Sequence, residues 1–156
     1  NIYFGDVVRA GDDGEAVEVP PPVGEPLTAY RWRIVPQTLR WGPRFLHERY
    51  GLPIYVTENG LSNVDWIHLD GRVHDPQRID FLTRYLRQYH RAAQDGADVR
   101  GYFQWSILDN FEWDQGYKER FGLVFVDYPT QRRVPKDSAE WYSRVIATNG
   151  ESALGE

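Results

Sequence analysis

The chain has 156 residues, 41% of them hydrophobic and 26% charged, a net charge of −5, and neither cysteine nor methionine. That length is enough for one domain with a sizeable core, and the balance excludes disordered, collagen-like and coiled-coil chains. The negative charge argues against nucleic acid or an anionic membrane surface as partner, no apolar run is long enough to span a membrane, and the missing cysteine removes disulfides and thiolate chemistry. In chain order, residues 1–8 read as the end of a short strand, with Ile2, Phe4, Val7 and Val8 apolar. A start at Asn1 is expected to lie inside a longer chain; no signal peptide is visible, and a cytoplasmic location is expected. Gly11-Asp12-Asp13-Gly14 is a turn, and the prolines from Pro20 to Pro26 demand a loop.

Pro36 suits the first position of a helix, predicted over 36–50 with Leu39, Phe45, Leu46 and Tyr50 on its inner face and Gly51 at its end. Residues 53–57 form a short apolar strand of the kind buried on both faces of a parallel sheet. A loop with an Asp70-Gly71 turn follows, and Asp75 is expected to cap a second helix that has Pro76 at its first position. Ile79, Leu82, Leu86, Tyr89 and Ala93 keep the helical period, the Arg84, Arg87 and Arg91 row takes the wet face, and Gly96 stops the helix. Residues 99–106 form the next strand, 121–126 another apolar run suited to a hairpin. A last helix begins at Asp137 or Ser138, turns Trp141, Tyr142, Val145 and Ile146 inward, and closes at Asn149-Gly150.

Strands alternating with helices over short links indicate parallel β/α units. Two or three such strands make only an arc of sheet, and apolar strands are poor exposed edges, so the chain is expected to complete a larger sheet. An open dinucleotide-binding sheet is the alternative, but no Gly-x-Gly-x-x-Gly follows any strand. Catalytic groups of a β/α barrel sit at the C-terminal ends of its strands. Glu58, at such an end and followed by Asn59-Gly60, is therefore either a nucleophile or general acid, or a carboxylate that caps a turn or pairs with an arginine. Nine of the 23 aromatic residues fall between Tyr102 and Tyr128, among Asp109, Asn110, Glu112, Asp114, Lys118, Glu119 and Arg120. Rings stack on the C–H faces of sugars and carboxylates bind hydroxyls, so this mixture suits a sugar site as well as a packed core.

The run Tyr55-Val56-Thr57-Glu58-Asn59-Gly60 and the stretch from Tyr102 to Tyr128 closely resemble the family 1 retaining β-glycosidases, the β-glucosidase group; Asn1-Ile2-Tyr3, Trp141-Tyr142 and Asn149-Gly150 extend the likeness over essentially the whole chain. The resemblance implies an α/β fold, the C-terminal part of a TIM (β/α)8 barrel over 1–156, with the earlier strands as its missing partner. It implies Glu58 as the nucleophile and Tyr3 as the donor that holds and aims it, with Asn1 nearby. Glu112 and Trp113 would bind hydroxyls of the non-reducing sugar, Trp105 would form the stacking floor, Phe121 would line the pocket, and Trp32 would face the leaving group. The substrate implied is a β-glycoside or cello-oligosaccharide, probed without cofactor or metal. The family's acid/base glutamate lies in an Asn-Glu-Pro motif that does not occur here, so half of the catalytic pair is expected outside this chain. Tyr30-Arg31 stands before Trp32 where the family usually has a glycine, and Glu112 argues for an unphosphorylated sugar.

His47, His68, His74 and His90 have no metal-ligand spacing; His68 and His74 are expected to be solvated, and Asp12-Asp13-Gly14 lacks the further acids of a calcium loop. Two rival readings are a carbohydrate-binding module without catalysis, which leaves Glu58 unexplained, and a transglycosylase using the same intermediate.

Overall fold

A computed structural model describes residues 1–154, so the last two of the expected 1–156 unit lie outside the described residues. The centre is a β/α/β unit: β3 (Ile54–Asn59), α2 (Pro76–Gln94) and β4 (Val99–Gln104), the two strands pairing in parallel with Val56 beside Tyr102 and Asn59 beside Gln104. The helix α1 (Thr38–Tyr50) precedes β3 and packs on α2. Leu39, Val56, Leu61, Phe81, Leu82, Tyr85, Tyr89 and Leu123 form the main core between strands and helices. The expected alternation of strand and helix is therefore present.

Only one face of the strand pair is covered, which corrects the expectation of two. Val56 is buried, but Tyr55 and Phe103 are 54% and 58% exposed on the opposite face. In α1, Leu39 is buried as expected, whereas Phe45, Leu46 and Tyr50 stand exposed. The helix packs through Leu39 and Pro43, and Phe45 stacks on Trp41 instead, centroids 5.8 Å apart. In α2, Leu82 and Tyr89 face inward, but Ala93 is exposed and the other buried positions are Arg78, Phe81, Tyr85 and Ala92. A buried arginine disguises this face in a pattern read by polarity.

Residues 1–7 are not a strand; Ile2 N–H donates to Glu58 O at 2.9 Å, tying the first residues to the end of β3. The strands β1 (Val8–Ala10) and β2 (Ala16–Glu18) form a hairpin around the Gly11–Gly14 turn. The expected hairpin after Phe121 is β5 (Val124–Asp127) with β6 (Arg132–Pro135). Helix α3 (Asp137–Ala147) buries Val145 and half-buries Trp141 and Tyr142, while Ile146 is exposed; a further short helix, α4 (Glu151–Leu154), follows Gly150. Asp75 precedes α2 but does not cap it. Its carboxylate accepts the Ser138 N–H at 2.9 Å and the Ser138 hydroxyl at 2.5 Å, so it caps the first turn of α3 from 63 residues away. Among the described residues no helix is long and apolar enough to cross a membrane.

Candidate active site

The ends of β3 and β4 lie side by side and cannot be spread by a side chain. A Cβ on Gly60 would stand 1.9 Å from the Trp105 carbonyl oxygen, so only glycine permits this approach. Trp105 N–H donates to Asn59 O at 2.8 Å, and the buried Asn59 side chain donates to Ile2 O and accepts from the Tyr102 hydroxyl at 2.7 Å. Asn59 thus joins three chain segments immediately behind Glu58. This role is signalled in the sequence only by its place in the Glu58-Asn59-Gly60 run.

Glu58 is half-buried at the strand end, and the Tyr3 hydroxyl donates to its Oε2 at 3.0 Å. Burial, this bond and the negative charges of Glu58 and Glu112 hold the Tyr3 hydroxyl far above its ordinary value, so it remains a donor. Asn1 lies beside the same strand end, its Oδ1 accepting from the Thr57 hydroxyl at 2.7 Å.

Glu112 is half-buried in the segment after β4. Burial raises its carboxyl above the ordinary range; a hydrogen bond from Trp105 opposes this, and the charges of Glu119, Glu58 and Asp114 add to it. The Glu58 charge thus bears on Glu112, and both charges bear on the Tyr3 hydroxyl. Trp113 follows at the start of a 3-10 turn (Trp113–Gln115), 79% exposed, with φ of +45°.

Aromatic rings wall the other side. The Trp32 ring lies 5.5 Å from Tyr3, 5.1 Å from Phe4, 4.4 Å from Tyr30 and 6.1 Å from Phe121 between centroids. Phe121 is buried, and its carbonyl accepts from Ser106 N–H at 3.2 Å and from the Gln104 amide at 3.1 Å, so it is fixed to the end of β4. The eight residues singled out in the sequence thus fall in one region: Asn1 and Tyr3 beside Glu58, Trp105 beside Glu112, Trp32 and Phe121 against Tyr3, and Trp113 at the exposed rim.

Sequence reasoning missed the pairing of Tyr30 with Asp114 and the burial of Glu119, though both acids belong to the stretch it marked as suited to a sugar. The Tyr30 hydroxyl reaches Asp114 Oδ1 at 3.4 Å while its ring stacks on Trp32. Glu119 is buried and accepts from the Ser62 hydroxyl at 2.5 Å. His74 is exposed as expected, and its two ring nitrogens lie 2.5 Å from Asp137 Oδ2 and 2.8 Å from Asp70 Oδ2. Among the described residues, no group of three or more histidine, aspartate or glutamate side chains is arranged to hold a metal ion. A strand-end carboxylate held by a phenol, a second carboxylate within its field and a wall of rings can bind a polyol and attack an electrophilic carbon.

Residues 9–151 match Glycosyl hydrolase family 1. The chain is 46% identical over 151 residues to β-glucosidase A of Thermotoga maritima, covering 96% of this chain and 34% of that protein. It is 49% identical over 131 residues to a bifunctional β-D-glucosidase/β-D-fucosidase of Bifidobacterium breve, covering 81% of this chain and 28% of the other. The solved structure of the Thermotoga maritima β-glucosidase in complex with castanospermine superposes with a TM-score of 0.84 at 45% identity, covering 95% of this chain and 33% of that one. The chain spans about a third of the length of the relatives it matches. Its fold is accordingly part of a TIM barrel, and the face carrying Tyr55 and Phe103 is the one such a barrel turns inward.

Proposed function

This chain belongs to glycosyl hydrolase family 1, and from that premise we propose that it is the nucleophile-bearing, C-terminal part of a barrel that hydrolyses terminal β-glycosides, with β-glucosides foremost, with retention of configuration. The observation that carries this reading is the Tyr3 hydroxyl 3.0 Å from Glu58 Oε2 at a strand end, with the charges of Glu58 and Glu112 both acting on that hydroxyl. The names of the relatives, and the sugar-like inhibitors bound in their structures, support a glycoside as substrate.

In the first step a carboxylate oxygen of Glu58 bonds to the anomeric carbon as the bond from that carbon to the leaving oxygen breaks. A retaining pair needs a second carboxyl roughly 5–5.5 Å from the nucleophile to give the leaving oxygen its proton and later to deprotonate water. That group lies on strands outside this chain. Water then attacks the anomeric carbon and releases Glu58. The Tyr3 hydroxyl orients Glu58 for attack and has to give up part of its bond as the ester forms. Glu112 and the Trp113 indole N–H take sugar hydroxyls, Trp105 lies under the ring, and Trp32 faces the leaving group.

The test is covalent trapping in the full-length barrel that carries this chain. A 2-deoxy-2-fluoro-β-glucoside is expected to label Glu58, read by peptide mass spectrometry, and Glu58→Gln to abolish the label. Label on another carboxylate overturns the assignment. Turnover by residues 1–156 alone, lost in Glu58→Gln, would overturn the placing of the second carboxyl outside the chain.

A further inference from the structure

Behind the site runs a buried line of six charges in alternating sign: Asp75, Arg78, Asp65, Lys136, Asp109, Arg120. Arg78 bonds to Asp75 and, at 2.7 Å, to Asp65 Oδ2. Lys136 Nζ lies 2.6 Å from the same Asp65 oxygen and 2.8 Å from Asp109 Oδ1. Arg120 Nη1 lies 2.6 Å from Asp109 Oδ2. The side chains of Arg78, Lys136, Asp75 and Asp109 are wholly removed from solvent, that of Asp65 almost wholly, and Arg120 forms the partly exposed end.

Three anions against three cations leave the line neutral, but desolvating charges costs about as much as their pairing returns, and apolar side chains would fill the volume at least as stably. What ion pairs supply and apolar contacts do not is fixed length and direction. The links beyond Arg78 join segments that carry site residues. Asp65 lies in the loop after Glu58, Asp109 stands three residues before Glu112, and Arg120 immediately precedes Phe121. Arg78 also donates to the Arg120 carbonyl at 2.9 Å, the same oxygen that accepts Asn63 N–H at 3.1 Å. Asp109 further accepts the backbone N–H groups of Gly122 at 3.0 Å and Val126 at 3.3 Å. Lys136 is the middle link, where the ion line crosses from the loop after β3 to the segment after β4, beside the Asn63 N–H to Arg120 carbonyl and Ser62 to Glu119 bonds.

We infer that Lys136, with Asp65 and Asp109, is a positioning device for sugar recognition: it sets the place of Glu112 and Phe121 relative to Glu58. The inference rests on the proposed glycosidase function. Cutting the line there without unbalancing it is possible, because Asp65→Asn with Lys136→Met leaves two neutral halves, Asp75–Arg78 and Asp109–Arg120.

The experiment compares this double variant with wild type in the full-length barrel, using a β-glucoside and its monodeoxy analogues. The expected result is an unchanged thermal midpoint together with a preference for the glucoside over the analogues that falls by about 10-fold or more, since hydroxyl recognition depends on groups held in place. A fold-only role would lower the midpoint or the amount of folded protein and leave the ratio of kcat/KM values untouched. An unchanged ratio overturns the inference, with or without a change in midpoint. If the double variant does not fold, Arg120→Lys, at the exposed end of the line, is judged by the same ratio. A wild-type barrel that cleaves no β-glycoside overturns the functional proposal itself, and the wild-type control separates that failure from this one.

Discussion

Arg31 holds φ of +68°, in the left-handed region that favours glycine. The turn around it is closed by Arg31 N–H on the Thr28 carbonyl and Trp32 N–H on the Thr28 hydroxyl, so the strain is kept in order to aim Trp32. Arg31→Gly is expected to stabilise the protein by about 0.5–1 kcal/mol, with the relief of left-handed strain outweighing the added freedom of the unfolded chain. Urea denaturation would measure it, and a loss of stability would show that the Arg31 side chain contributes more than its backbone costs. Gly60 is the opposite case, where lack of a side chain is enforced by a carbonyl and not by φ.

Among the elements, β3, α2 and β4 were legible because their signals are local: an apolar run, Pro76 at the first helical turn, and Gly96 at φ of +98° where α2 gives way to β4. The register of α2 was not, because Arg78 occupies an inward position and its partners Asp65 and Asp75 come together only in the fold. Asp75 was read as a cap and is one, but for α3. Glu58 was legible from its place at a strand end and Glu112 from the aromatic and acidic stretch around it, but their roles, and Tyr3 altogether, came only through motif resemblance; nothing in the spacing shows that residue 3 bonds to residue 58. His74 joins the Asp70-Gly71 turn to the start of α3 in the same non-local way. Its bonds to Asp137 and Asp70 raise the imidazole above its ordinary value of 6.5, so the folded state favours the charged form. That contribution is complete below pH 6.5 and is lost as pH rises through the raised folded value. The thermal midpoint is therefore expected to decline as pH rises above 6.5, and His74→Gln to remove that part of the slope. A slope identical in the variant would discard the link.

At the scale of the whole molecule, the chain has a core on one side of its strands and apolar surface on the other. A groove of about 630 Å³ lies between residues 5–8 and α1, lined by Val7, Val8, Val35, Trp41 and Phe45 among others. Like Tyr55 and Phe103, it is apolar surface fitted for covering. Residues 1–156 in isolation are expected to self-associate at micromolar concentration through these faces and the open strand edges. Sedimentation velocity would report it, and a monomer that binds no hydrophobic dye would contradict it. The ring cluster around Trp32 has a different consequence. Its members come from three separate stretches of chain, Tyr3 and Phe4, Tyr30 and Trp32, and Phe121. An indole whose nearest neighbours belong to independent loops is a built-in optical gauge once the other five tryptophans are replaced by phenylalanine: its emission then reads the assembly of the site, without any label, each time those stretches meet.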